Sequence, residues 1–224
     1  YGNGNYDSSG RWDDWGFKTT EINAQTISIE HQDHWGEAEL KAEILRQAGS
    51  YLADKEVFVH DAGVTVSEVQ AAKIKRFVIR LATNCTGRRN YLASAKRQGR
   101  HLEYGEKVRP LPRPYKENVI PGTAADEQSS FQKAGHTIEV RVWRGLVRAD
   151  QKADEKQETF TIMVFDDPRY KNPLVLGTNL LATPETIFCL YLDRWPVEQP
   201  PLVAKQMLGL QRQFVFALVS CQRL

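Results

Sequence analysis

The stretch Tyr191-Leu-Asp-Arg194-Trp-Pro-Val-Glu198-Gln-Pro-Pro-Leu-Val-Ala-Lys205 sets four functional side chains at successive intervals of three, four and seven residues. An α-helix returns to one face at those intervals. Such a face offers a phenol, a guanidinium, a carboxylate and an ammonium to one ligand. A carboxylate between two cations binds simple anions poorly, but it suits a phosphodiester held beside a divalent metal. The cations grip phosphate oxygens and the carboxylate takes the metal. The chemistry served is phosphoryl transfer. A solvated, charged helix face would show a similar pattern, so the decision rests on whether the rest of the chain agrees.

Upstream, Val57-Phe-Val-His-Asp61-Ala-Gly63 is a short apolar strand that ends in an acid and a glycine. Ligands of open α/β sheets gather at the carboxyl ends of strands, which makes Asp61 a site candidate. On local grounds Asp61 reads equally well as the cap of the next helix, near Thr65 to Lys75. Around this strand, Gly36 to Ala53 alternates apolar and charged residues at helical spacing, and Arg76-Phe-Val-Ile-Arg80-Leu reads as a second apolar strand. Phe17 to Glu30 is rich in Thr and Ile and predicts one or two short strands, whereas Tyr1 to Trp15 has turn chemistry. His31 and His34 follow without a neighbouring carboxylate or cysteine cluster and read as surface residues.

Downstream, Thr137 to Trp143 and Thr159 to Phe165 read as two strands joined through the charged stretch Asp150 to Glu158. Leu174 to Asn179 is a further apolar run, and Thr183-Pro184-Glu185 is a helix start with threonine as cap and proline just inside. Pro196, Pro200 and Pro201 predict a break near Trp195-Pro196, with Glu198 in the first turn of a second helix.

The pattern of Tyr, two residues, Arg, three residues, Glu, six residues, Lys resembles the signature of a large group of DDE transposases from bacterial insertion sequences. The run from Val57 to Asn84 resembles the segment of that family that holds its second catalytic aspartate, and Asp61 falls on that position. The resemblance implies an α/β fold with an RNase H-like, retroviral-integrase-like core over residues 17–84 and 174–224. A β-rich basic insertion over 85–173 would lie between the second Asp and the Glu. The implied reaction is metal-dependent cleavage and strand transfer of DNA. Asp61 and Glu198 would be catalytic carboxylates and metal ligands for Mg2+ or Mn2+, with two ions in the complete site. Tyr191, Arg194 and Lys205 would hold DNA phosphates. The partner would be double-stranded DNA, both element ends and target, bound by a homodimer. The family also needs a first aspartate on an upstream apolar strand. Asp7-Ser8-Ser9 imitates it locally but has Asn, Tyr and Gly flanks, so the first carboxylate is expected outside this chain.

Composition sets the limits. A length of 224 residues with 41% hydrophobic and 26% charged residues allows a full core in a soluble protein. The net charge of +2 implies no polyanion partner, so local density is more informative. Arg88, Arg89, Lys96, Arg97, Arg100, Lys107, Arg109, Arg113 and Lys116 face only Glu103 and Glu106 across one basic segment, and Arg109 and Arg113 are its candidate DNA contacts. Trp143 lies on the strand face shared with Thr137, Glu139 and Arg141, and is expected on a DNA-contacting surface, stacking on an unpaired base; the competing reading packs it against Phe160 to Phe165. Cys85, Cys189 and Cys221 lack metal-ligand spacing, and no apolar run is long enough to span a bilayer. A cytoplasmic protein is expected. The start at Tyr1 and the stop after an apolar segment predict an internal piece of a longer protein.

Two other function classes fit the same residues. A DNA-binding remnant or repurposed transposase domain would keep the fold and basic insertion without chemistry. An unrelated α/β hydrolytic domain built on a carboxylate pair leaves the clustered Tyr, Arg and Lys unexplained.

Overall fold

The computed structural model describes residues 36–92 and 102–194. The strands read over Phe17 to Glu30, the pair His31 and His34, the predicted break at Pro196, and both Glu198 and Lys205 lie outside the described residues.

Helix α1 (Glu37–Tyr51) precedes strand β1 (Phe58–His60), helix α2 (Val66–Ala71) and strand β2 (Phe77–Arg80). β1 and β2 pair in parallel, with Phe58 opposite Phe77 and His60 opposite Ile79. Parallel neighbours need a crossover, and α2 supplies it. Short strands β3 (Gly87–Arg89) and β4 (Lys107–Val108) come next, then a separate ribbon of β5 (Arg113–Tyr115) and β6 (Asn118–Ile120). The long strands are β7 (Glu127–Lys133), β8 (His136–Arg148) and β9 (Phe160–Asp166). β10 (Leu174–Thr178) leads into helix α3 (Pro184–Leu192).

The main sheet runs β1-β2-β10-β9-β8-β3-β4, and β7 pairs with the first half of β8. Every pairing but the first is antiparallel, so the chain is a mixed α/β protein. Residues 85–173, read from sequence as the insertion, contribute β3 to β9. Through the β9 to β10 ladder they share one sheet with β1 and β2.

Both faces of the central strands are buried. Alternation sends Phe160, Ile162 and Val164 of β9 into a cluster with Leu45 of α1 and Val66 and Val69 of α2, whereas Met163 and Phe165 join Ile187 and Phe188 of α3. The result is three layers, with α1 and α2 on one face and α3 on the other. Rings of Phe131, Phe165 and Phe188 meet at 5.2 to 6.4 Å in the α3 layer. Gly49 lets α1 approach the end of α2: a Cβ there would lie 2.8 Å from the Ala72 carbonyl oxygen.

Helix ends follow local chemistry. Thr65 caps α2, accepting from the Glu68 backbone N–H while the Glu68 carboxylate accepts from the Thr65 N–H at 2.7 Å. Asp61 is therefore not that helix's cap. α2 closes with a Schellman arrangement, in which Ile74 N–H donates to Val69 O and Lys73 N–H to Gln70 O. It sets Lys73 at φ 56. Thr183 caps α3 with Pro184 in the first turn, as the sequence predicts.

Trp143 corrects an expectation. It is 1% exposed, within the cluster of Phe160, Ile162 and Val164, so its indole is not available to stack on a base. Along β8 the second face is polar from the hairpin end through Thr137, Glu139 and the half-buried Arg141, which pairs with Asp166. By Trp143 the face has passed under the segment before β7, and the indole N–H donates to the Thr123 and Ala124 carbonyls at 3.2 and 2.9 Å. A bulge between Trp143 and Leu146, with Gly145 at φ 61, returns Leu146 to the same buried face.

Candidate functional site

The carboxyl ends of β1 and β2 lie side by side. One residue beyond the paired His60 and Ile79 come Asp61 and Arg80. Helix α3 packs over these two strands and brings Tyr191 and Arg194 to the same point. Tyr191 Oη donates to Asp61 Oδ1 at 2.8 Å, and Arg80 Nη1 reaches the same oxygen at 3.3 Å. Arg194 Nη2 lies 3.3 Å from Asp61 Oδ2. The Arg194 guanidinium also sits 5.2 Å from the centre of the Tyr191 ring.

Burial favours the neutral form of the Asp61 carboxyl. The Tyr191 hydroxyl, the Ala62 backbone N–H and the Arg194 and Arg80 guanidiniums outweigh it and hold the group below the usual aspartate range. Burial first, and then the bond to Asp61, push the Tyr191 phenol upward, so it remains a donor at neutral pH. One ionised carboxylate thus orders a phenol and two guanidiniums. Among the described residues, one carboxylate and two guanidiniums leave the cluster with one net positive charge.

Three residues singled out from sequence, Asp61, Tyr191 and Arg194, therefore meet although 130 positions separate Asp61 from Tyr191. Glu198 and Lys205 lie outside the described residues. Arg80 is a member that sequence reading missed. Its signal was two apolar strands ending in opposite charges, Val57 to Asp61 and Arg76 to Arg80. The described donor set is not a complete metal centre, since no three acidic, His or Cys side chains converge among the described residues. Asp61 alone offers one carboxylate of the kind a hard cation takes, and further oxygen ligands must join it.

The basic segment divides. Arg88 donates to the Ala149 and Gly105 carbonyls, and Arg89 pairs with Asp126 at 2.5 Å, so both tie loops to the sheet. Lys107, Arg109, Arg113 and Lys116 make no ion pair among the described residues. Among the described residues no helix is long and apolar enough to cross a membrane.

Compared with protein-family models, curated proteins and solved structures, the chain matches none.

Proposed function

We propose that this chain is part of a DDE-type DNA transposase with an RNase H-like core, which cleaves and joins DNA strands by metal-dependent phosphoryl transfer. The observation supporting the reading is that Asp61, Tyr191 and Arg194, three residues the family resemblance assigns to one site, meet: Tyr191 is hydrogen-bonded to Asp61 and Arg194 is ion-paired with it. In this reading Asp61 and Glu198 are the protein ligands of Mg2+ or Mn2+. Held there, such an ion would supply Lewis-acid stabilisation of the oxygens that gain charge in the transfer. The chain's own cations do the positioning: Arg80, Arg194 and Lys205 hold non-bridging phosphate oxygens, and Tyr191 fixes the Asp61 rotamer. The substrate is double-stranded DNA, held by a homodimer.

Both Asp61 oxygens are already engaged by protein groups, Oδ1 by hydrogen bonds from Tyr191 and Arg80 and Oδ2 by the Arg194 ion pair. That favours, as runner-up, a domain that grips DNA phosphate without cleaving it. Nicking of supercoiled plasmid by the full-length protein in Mn2+ separates the two. Wild-type nicking that disappears in both Asp61→Asn and Glu198→Gln supports the enzyme; tight DNA binding with no nicking in any metal leaves the binding domain.

A further inference from the structure

The segment between β4 and β7 leaves the main sheet and returns to it. Its base is closed by a reciprocal pair: Arg109 N–H donates to Thr123 Oγ1 at 2.9 Å, and Thr123 N–H donates to the Arg109 carbonyl at 2.7 Å. The buried Trp143 indole clamps the same base through the Thr123 and Ala124 carbonyls. From that base the β5 to β6 ribbon extends, turning at Lys116-Glu117, with Tyr115 and Val119 exposed.

The charge on this excursion is one-sided. Lys107 to Thr123 holds Lys107, Arg109, Arg113 and Lys116 against the single acid Glu117. Most arginines elsewhere among the described residues are satisfied by a carboxylate: Arg46 by Glu43, Arg89 by Asp126, Arg141 by Asp166, Arg144 by Glu127, Arg148 by Asp150 and Arg169 by Asp167. Arg109 and Arg113 are not. Their Nε atoms are shut off from solvent, so contact with a phosphate falls to the terminal Nη groups, which have no acceptor among the described residues. A guanidinium presents its donors as a planar fork that matches the oxygens of a phosphate. Lys116 lies 5.7 Å from the Tyr115 ring centre, so an exposed aromatic accompanies the cations.

We propose that the Lys107 to Thr123 excursion is a DNA-backbone-binding arm, gripping duplex phosphates through Arg109 and Arg113 with Lys107 and Lys116 beside them, and held rigid at its base by Trp143. It shares with the functional reading above only the identity of the partner. It is a different surface from the Asp61 cluster, and it has no means of reading sequence, because phosphate contacts position a duplex without specifying bases.

The test is fluorescence anisotropy of the full chain with a short labelled duplex of arbitrary sequence, in EDTA, across a salt series. The double variant Arg109→Gln/Arg113→Gln should lower the slope of log K against log salt by about two, since each lost phosphate contact removes about 0.9. The loss should be equal on unrelated duplex sequences. Lys107→Gln/Lys116→Gln changes only exposed side chains and should lower the slope in the same direction. Unchanged slopes in both folded double variants overturn the arm. So does competition by polyglutamate as strong as by unlabelled duplex, which would make the surface a site for acidic protein. Because metal is absent, the measurement is blind to cleavage: a wild-type protein that never nicks DNA still supports or refutes the arm.

Discussion

Tyr191 Oη donates to Asp61 Oδ1 at 2.8 Å, and this one bond joins the end of helix α3 to the end of strand β1. The Tyr191 ring is buried against the α3 face of the sheet, so Tyr191→Phe keeps the packing and deletes only the donor. A hydrogen bond to a charged acceptor contributes about 1.5 to 3 kcal/mol, with less expected for a part-exposed carboxylate. The variant should lose about 1 kcal/mol in urea unfolding, and the Asp61 carboxyl should titrate higher by NMR. A variant as stable as wild type with an unmoved Asp61 titration would show that the bond is not formed in solution.

The same carboxyl predicts an acid limb. Its folded pKa is held below the ordinary aspartate value of about 3.9. The unfolded chain therefore binds the proton more readily, and the stabilisation is fully present above that value and is lost as pH falls through the lower folded pKa. Asp61→Asn should be less stable than wild type at neutral pH, and the difference in melting temperature should close as pH drops below about 4. A gap that stays constant from pH 7 to pH 2 would contradict the ionised cluster. Other depressed carboxyls, such as Asp126 beside Arg89, leave an acid limb in both proteins, so the comparison is between the two curves.

Local chemistry made much of this fold legible. The Thr183-Pro184 start of α3, the β8 to β9 hairpin and the strand before Asp61 each rest on short-range signals: a cap, alternation and an apolar run closed by Gly63. The site was legible in part for a different reason. Tyr191 and Arg194 sit one helical turn apart, so spacing alone puts them on one face. Arg80 was hidden because its partner is fixed by the register of a parallel pair, and no local pattern encodes which strands will be neighbours. The division of the basic segment was hidden likewise. Arg89 looks like Arg109 in sequence, yet only Arg89 has Asp126 brought to it from 37 positions away.

Lys73 adopts a left-handed backbone at the end of α2, where a side chain costs about 1 to 2 kcal/mol relative to glycine. Lys73→Gly removes that strain and retains the two closing hydrogen bonds, at the cost of a more flexible unfolded chain. The net expectation is a gain of about 0.5 to 1 kcal/mol in chemical denaturation. Gly49→Ala is the contrasting substitution: its new Cβ meets the backbone oxygen of Ala72 at 2.8 Å and should destabilise the α1 to α2 contact. A Lys73→Gly protein less stable than wild type would mean that the Lys73 side chain makes a contact outweighing the strain.

Trp143 has the largest fully buried side chain among the described residues, and its indole donates to the Thr123 and Ala124 carbonyls. Removing it opens a large cavity between β8 and the α1 layer and deletes both indole hydrogen bonds, so Trp143→Ala should cost about 3 to 5 kcal/mol. Trp143→Phe restores most of the volume and none of the N–H. It should cost less, while still loosening the base of the β5 to β6 ribbon. The two variants together separate packing from contact with a ligand. A packing role predicts a fall in melting temperature that is large for Ala and smaller for Phe, with DNA affinity per folded molecule nearly normal in the Phe protein. Loss of DNA end processing at an unchanged melting temperature in both proteins would instead mean that the indole leaves the core to meet the substrate.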